Sequence, residues 1–293
     1  MIDFLRYRYF GWAFFALTIT AFVGGYLYKL NTRGYTFVYS VDFTGGTQVV
    51  LDFSKPTDGS AVISILEKNG IAGATTRNFS GTNKVLVRAT QFENDSAGLA
   101  TRIKDVLQKD LTDTTVTIEQ VDSVGGSVGE SLRWKSLQAL LAGLLLMLMY
   151  IAVRFWSWGF AIGSVVSLFH DALVVLTVFL LLDIEISINV IGAILAVLGY
   201  SINDTIIIFS RIRENMVRLS DKSLEELVNI STNETLRRTL LTSFATTLVV
   251  ISLVLFGGEV LRGLSLVLLI GFVFGTYSSI FVASPVMLLF SKR

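Results

Sequence analysis

LGYSINDTIIIFSRIREN, Leu198–Asn215, puts a carboxylate where a membrane helix should be wholly apolar. An almost unbroken apolar run precedes it and a basic segment follows, so Asn203 and Asp204 fall inside the expected span. Ile206, Ile207, Ile208 and Phe209 come after the aspartate, so lipid-compatible sequence lies on both sides of it. At 1.5 Å per residue, Asp204 sits about 9 Å from the midpoint of a helix over 186–209. A charge at a helix boundary would be bland; one held among apolar neighbours marks a site.

The rest of the chain supports the membrane reading. Its 293 residues are 52% hydrophobic with two prolines, and mean hydropathy is +0.64. That is too apolar for a soluble chain of this length. A hydrocarbon core of about 30 Å needs roughly 20 apolar helical residues. Six segments qualify: Phe10–Tyr28, Trp134–Val153, Trp158–Leu182, Ile186–Phe209, Leu240–Phe256 and Leu261–Phe290. The first reads as a retained anchor, because Val23-Gly24-Gly25-Tyr26 is a poor cleavage site for a secretory signal.

Short-loop charges set the expected orientation. Arg6, Arg8, Arg154, Arg211, Arg213, Arg218, Lys222, Arg237, Arg238, Lys292 and Arg293 fall on one face if six helices alternate. The other face receives Asp183, Glu185 and Glu259, with Arg262 the exception. Both termini are therefore expected in the cytoplasm. The net charge of +1 carries no basic patch with interleaved aromatics, so no nucleic-acid partner is expected. With no cysteine and a single histidine, the chain offers no disulfide and no thiol chemistry, and neither a histidine-based metal site nor a nucleophile–histidine pair. We expect no enzyme, no metal and no cofactor.

The chain divides into 1–28, a polar stretch 29–133 and the helical remainder 134–293, and the polar stretch patterns as a folded extracytoplasmic domain. Thr47–Phe53 alternates as a strand, Ser60–Asn69 reads as a helix ended by Gly70, and Ala74–Phe79 and Lys84–Ala89 are strands split by a turn at Gly81-Thr82-Asn83. A helix from Ser96 aligns Leu99, Ile103, Val106 and Leu107, and Thr115–Val121 closes with a strand. The order β-α-β-β-α-β predicts a small ferredoxin-like α+β domain. Asp42-Phe43-Thr44-Gly45-Gly46 precedes the first strand, where two glycines suit a tight backbone approach at the junction with the first helix.

An ionisable residue at the centre of an inserting helix costs roughly 2.5–3.5 kcal/mol, so those that persist are site candidates. His170 and Asp171 lie at the midpoint of the third span, with Ser164 and Ser167 at i−7 and i−4 from the aspartate. In the fourth span Gly192, Ala196, Gly199 and Asn203 recur at helical spacing beside Tyr200 and Asp204, a stripe expected to face protein. The fifth carries Arg238, Thr239, Thr242, Ser243, Thr246 and Thr247. The sixth carries Gly271 and Gly275, with Ser278 and Ser279 following. Burial and a nearby cation act on a carboxylate in opposite senses, and one balanced between them can take up and release a proton. Asp204, at a depth Arg238 can share, fits that description. The plainer readings are snorkelling for Arg237 and Arg238, a boundary charge for Asp204, and a helix-locking hydrogen bond for His170 with Asp171.

Several stretches together resemble the SecF family, the smaller of the paired SecD and SecF membrane subunits of bacterial protein export. They are VDFTGGTQV (Val41–Val49), FHDALVVL (Phe169–Leu176), VLGYSINDTIIIFSRIREN (Val197–Asn215), NETLRRTLLTS (Asn233–Ser243) and GGEVLRGLSLVLLIGFVFGTYSSIFVASP (Gly257–Pro285). The match departs where this chain has Val124-Gly125-Gly126 and where Arg237 precedes Arg238. The resemblance implies a six-helix unit of the RND type (the resistance-nodulation-division superfamily) in the bacterial cytoplasmic membrane. It implies SecD and the SecYEG channel as partners, an unfolded polypeptide in transit, and coupling to a proton or sodium gradient. Asp204 and Arg238 match the family's intramembrane aspartate and arginine, and His170 and Asp171 its HD pair. The alternatives are an RND-type half-exporter of small molecules or lipids, and a structural subunit without an ion site of its own.

Overall fold

In the computed structural model, residues 1–71, 73–79, 82–89 and 96–291 are described. Gly81, expected in a turn, and Lys292 and Arg293, expected in a basic tail, lie outside them. In chain order the elements are α1 (Arg8–Arg33), α2 (Val41–Thr44), β1 (Gly46–Phe53), α3 (Gly59–Lys68), β2 (Thr75–Asn78), β3 (Lys84–Ala89), α4 (Ser96–Asp110), β4 (Val116–Val124) and α5 (Gly126–Phe155). There follow α6 (Trp158–Leu182), α7 (Ile188–Arg218), α8 (Leu224–Phe256), α9 (Gly258–Ser278), a π-helical segment (Ser279–Ala283) and α10 (Ser284–Phe290). They divide into a helical unit, Met1–Val38 with Gln138–Arg293, and an α/β unit, Tyr39–Leu137.

In the α/β unit the strands lie in the order β2-β3-β1-β4, and each neighbouring pair is antiparallel. So β1 runs parallel to β2 across β3, and β3 parallel to β4 across β1. Each parallel pair is joined through one helix, which gives two interleaved split βαβ units and the ferredoxin-like topology. Val49, Leu51 and Phe53 point from one face of β1 into a core completed by Val85, Val87 and Val116. Val62 and Leu66 of α3 and Leu99, Ile103 and Leu107 of α4 cover it, each at no more than 1% exposure. Burying one such side chain contributes about 1.5–3 kcal/mol, which suffices to hold helical and strand periodicities in register. Asp58 caps α3, and the hydroxyl and amide of Ser60 hold its carboxyl below the usual range.

The double glycine closes α2 and opens β1. Ser40 accepts a hydrogen bond from the Asp42 amide at 3.2 Å, and the Gly45 amide donates to the Val41 carbonyl at 2.9 Å. Gly45 then adopts φ +74° and ψ 171°, and Gly46 φ +107°, a region that L side chains rarely enter. A Cβ on Gly45 would stand 2.7 Å from the Cα of Gly126, so the tight approach is to the first turn of α5. Phe43 is buried edge-on to Tyr39, whose ring lies under the Arg133 guanidinium, while Asp42 is half-buried. Gly45→Ala should therefore cost about 1–3 kcal/mol in backbone strain and also push α5 away. Gly70→Ala, at φ +82° in open space, carries the strain alone. Membrane-inserted abundance and protease resistance should fall further for Gly45→Ala; equal values would remove the need for close approach.

Among the described residues, six helical spans are long and apolar enough to cross a membrane. α9 packs most closely on α7 and α8, and Gly271 and Gly275 lie against Val197 and Ser201 of α7. A Cβ on Gly275 would meet Ser201 Cβ at 2.9 Å. Phe155, Phe160 and Phe209 form an aromatic cluster joining α5, α6 and α7. At the far end of α1, the buried Lys29 donates to the Leu180 carbonyl and, at 2.5 Å, to Asp183, which Arg33 also meets at 2.9 Å. One expectation is corrected. The fourth helix begins at Ile188, because the Ile186 amide donates to the Val38 carbonyl at 2.8 Å. The stripe Gly192, Ala196, Gly199 faces outward: a Cβ on Gly192 would meet nothing within 4 Å, and on Gly199 only a methionine tip at 3.9 Å. The packed face of α7 is instead Val190, Ala193, Ile194, Val197, Leu198 and Ser201.

α7 has 31 residues and α8 has 33, so each outruns a hydrocarbon core of about 30 Å. Their adjoining ends form a hairpin closed by Glu234. Its carboxylate accepts from Arg211 Nε at 2.6 Å, Asn215 Nδ2 at 2.8 Å and Arg218 Nη2 at 2.9 Å. Ser223 and Glu226 make a capping box at the start of α8. The N-terminal residues lie along the same hairpin, with the Ile2 amide donating to Asn233 at 2.8 Å and Asn229 donating to Asp3 at 2.7 Å.

Candidate functional site: two buried carboxylates

α7 carries Ser201 and Asp204 one turn apart on its packed face, and each belongs to a different hydrogen-bonded cluster. Asp204 is 2% exposed. Ser243 of α8 donates to its Oδ2 at 3.4 Å, and accepts in turn from Thr276 of α9 at 2.7 Å and from Tyr200 at 3.2 Å. Thr246 donates to the Tyr200 hydroxyl at 3.1 Å. One serine hydroxyl thus orients toward the carboxylate because its acceptor lone pairs are already taken. Thr239, one turn before Ser243 and 1% exposed, has a buried hydroxyl oxygen without a partner among the described residues.

The second cluster is deeper in the protein. Asp171 and His170 are both 0% exposed. Ser201 donates to Asp171 Oδ2 at 2.5 Å, and His170 Nδ1 lies 3.2 Å from Oδ1. Phe14, Phe15 and Tyr277 surround the imidazole with ring centroids 5.1–5.9 Å away, and among the described residues Nε2 has no hydrogen-bond partner. Ser167 donates to Ser278 at 3.0 Å, so the serine stripe of α6 faces the end of α9. Gly275, Thr276 and Ser278 place α9 against both clusters: a glycine for closeness to Ser201, a hydroxyl for each neighbour.

The expected residues are thus only partly brought together. Asp204 and Ser243 meet, and so do His170 and Asp171. Arg238 lies on the exposed side of α8 and makes no ion pair with Asp204, although its charge is near enough to act on the carboxylate. Asn203 is exposed, turned away from Asp204 by the helical step of one residue. Thr242 is exposed as well and back-bonds to the Arg238 carbonyl at 2.8 Å. Ser201 and Thr276 were not singled out from the sequence. Ser201 stands three residues before Asp204, and that spacing was the available signal.

Comparison with known proteins places this architecture. Residues 103–293 match the family model described as protein export membrane protein SecD/SecF, C-terminal, and residues 35–57 match the SecD/SecF GG motif. A protein translocase subunit SecF from Thermodesulfovibrio yellowstonii is 40% identical over 255 residues, covering 86% of this chain and 83% of the relative. That of Escherichia coli O157:H7 is 35% identical over 288 residues, covering 98% and 87%. The crystal structure of SecDF from Thermus thermophilus, a translocon-associated membrane protein, superposes with a TM-score of 0.86 at 33% identity. It covers all of this chain, which spans 39% of that longer one. A SecDF in a super-membrane-facing form gives a TM-score of 0.67 over 98% of this chain, again at 33% identity. With a family model matching residues 103–293, and relatives matched over 83% and 87% of their own length, the chain belongs to the SecD/SecF family of protein export membrane proteins, on its SecF side.

Proposed function

We propose that this chain couples ion movement across the bacterial cytoplasmic membrane to the outward passage of unfolded polypeptide, working with a SecD-type subunit beside a SecYEG-type channel. One observation carries the reading: Asp204, 2% exposed within a membrane helix, is met among the described residues by one serine hydroxyl and no ion pair, so no salt bridge fixes its charge. Ser243, Tyr200, Thr246 and Thr276 continue from it as a chain of hydroxyls. Arg238 supplies a cation near the carboxylate without locking it. The outward face of α7 and α8, with Asn203, Arg238 and Thr242 beside the open positions Gly192 and Ala196, suits a second helical subunit, since lipid offers such groups no hydrogen bonds.

The test is reconstitution with a SecD-type partner and a channel in vesicles. Export should rise when a proton or sodium gradient is imposed and return to its basal rate when the matching ionophore collapses that gradient. Export indifferent to both gradients would leave only a structural subunit, and transport of a small solute without polypeptide would favour the half-exporter.

The same reading sets both termini and the α7–α8 hairpin in the cytoplasm and the α/β unit outside. Lys55 and Asp221 are exposed and cap no helix, unlike Asp58 and Ser223, so cysteines are best introduced there. In intact cells an impermeant maleimide should label Lys55→Cys and spare Asp221→Cys. The reverse pattern would invert the topology.

A further inference from the structure

A groove of about 650 Å³ opens at the end of the helical unit that carries the N-terminus, between α1, the first turn of α8 and α10. Its walls include Trp12, Leu224, Leu288 and Leu289, and its polar members include Arg8 and Glu225. These two face each other at 3.3 Å, with side chains 37% and 67% exposed, so neither is spent on the other. The guanidinium uses Nη1 toward Glu225 Oε1 and has further N–H donors to offer, and the carboxylate keeps its second oxygen. Tyr9, under the Arg8 guanidinium at 5.5 Å, and Trp12 lie in the first turns of a membrane-spanning helix, at the depth where aromatic side chains mark the headgroup layer.

We propose that this groove binds one zwitterionic aminophospholipid of the phosphatidylethanolamine class. Such a headgroup carries a phosphate and a primary ammonium joined by an ethylene link, the complement of a cation and an anion held side by side. The phosphate takes N–H donors from Arg8, for which guanidinium geometry is suited. The ammonium donates to the free oxygen of Glu225. An acyl chain then runs along Leu288 and Leu289 of α10, with Trp12 as its wall. Charge complementarity selects among lipids. An anionic phosphatidylglycerol would meet Arg8 but be repelled by Glu225. Phosphatidylcholine has the same charges, but its quaternary nitrogen has no N–H to give the carboxylate.

The full chain, purified with its partner subunit in a mild detergent, can be offered equal amounts of phosphatidylethanolamine, phosphatidylcholine and phosphatidylglycerol, and the retained lipid counted by native mass spectrometry. We expect one molecule of phosphatidylethanolamine retained at least tenfold over either competitor. Glu225→Gln should bring phosphatidylethanolamine and phosphatidylcholine to within about twofold of each other, and Arg8→Gln should lower retention of every phospholipid about tenfold. The comparison among lipids on the unaltered protein decides the matter even if a variant fails to accumulate. Preference for phosphatidylglycerol, equal retention of all three, or unchanged selectivity in properly accumulated variants would each overturn the assignment. So would absence of bound lipid when the partner subunit covers this face.

Discussion

Asp204→Asn should abolish ion-driven polypeptide translocation and leave the amount of protein in the membrane unchanged. Asparagine keeps the size of the side chain and can still accept from Ser243, so the cluster with Tyr200 and Thr276 survives. What is lost is the ability to change charge. A field of 100 mV is worth about 2.3 kcal/mol per elementary charge, so removing one coupled charge should slow gradient-dependent export by roughly tenfold or more. Arg238→Leu should also impair coupling, and Arg238→Lys should retain part of it, because no bidentate contact to Asp204 depends on the planar guanidinium. Gradient-driven export and ion conductance, measured at matched protein levels, decide the point. Wild-type rates of both in Asp204→Asn would overturn the ion-coupling account.

Asp171 should behave in the opposite way, as a residue the fold cannot lose. It accepts from Ser201 of α7 and lies against His170, at zero exposure for both members of the pair. Asp171→Leu leaves the serine hydroxyl and the imidazole without that acceptor at a fully buried position, at about 1–3 kcal/mol for each unsatisfied group. Among the described residues, His170 Nε2 already has no hydrogen-bond partner. We expect Asp171→Leu to cut membrane-inserted protein several-fold, while Asp171→Asn, which keeps an acceptor, accumulates normally and retains most activity. Normal abundance with lost export in Asp171→Asn would instead assign this carboxylate to the ion route.

The six spans and the α+β domain were legible because each rests on a pattern the chain states locally: twenty apolar residues for a bilayer, alternation of two for a strand, a stripe of three and four for a helix. Lys84–Ala89 coincides with β3, and the remaining strands differ by one to three residues at their ends. What was not legible depended on which way a helix is rotated. Gly192, Ala196 and Asn203 share an exposed stripe, whereas Gly271 and Gly275 lie against Val197 and Ser201 of α7. Small side chains permit an approach without naming the partner, so periodicity could not choose between them. Hydropathy was also silent on helix ends. α8 begins at Leu224, sixteen residues before its apolar run, because a capping box and the Glu234 contacts sustain a helix that no longer needs lipid. In the site, Asp204 announced itself by its cost in an apolar run. Ser201 and Thr276 carry no such cost and emerge only when α7, α8 and α9 are brought together.

If α7 tilted at Asp204, the joined ends of α7 and α8 would act as a lever. Fourteen residues separate that aspartate from Arg218, about 21 Å of helix at 1.5 Å per residue. A tilt of about 10° at the fulcrum sweeps the tip some 4 Å sideways, by the same rise. Because Glu234 braces α8 against Arg211, Asn215 and Arg218, the two helix ends would move together. Ile2 and Asp3, fastened to Asn233 and Asn229, would be carried along with them, so a displacement too small to disturb the packing around a buried carboxylate would be magnified at Ile2.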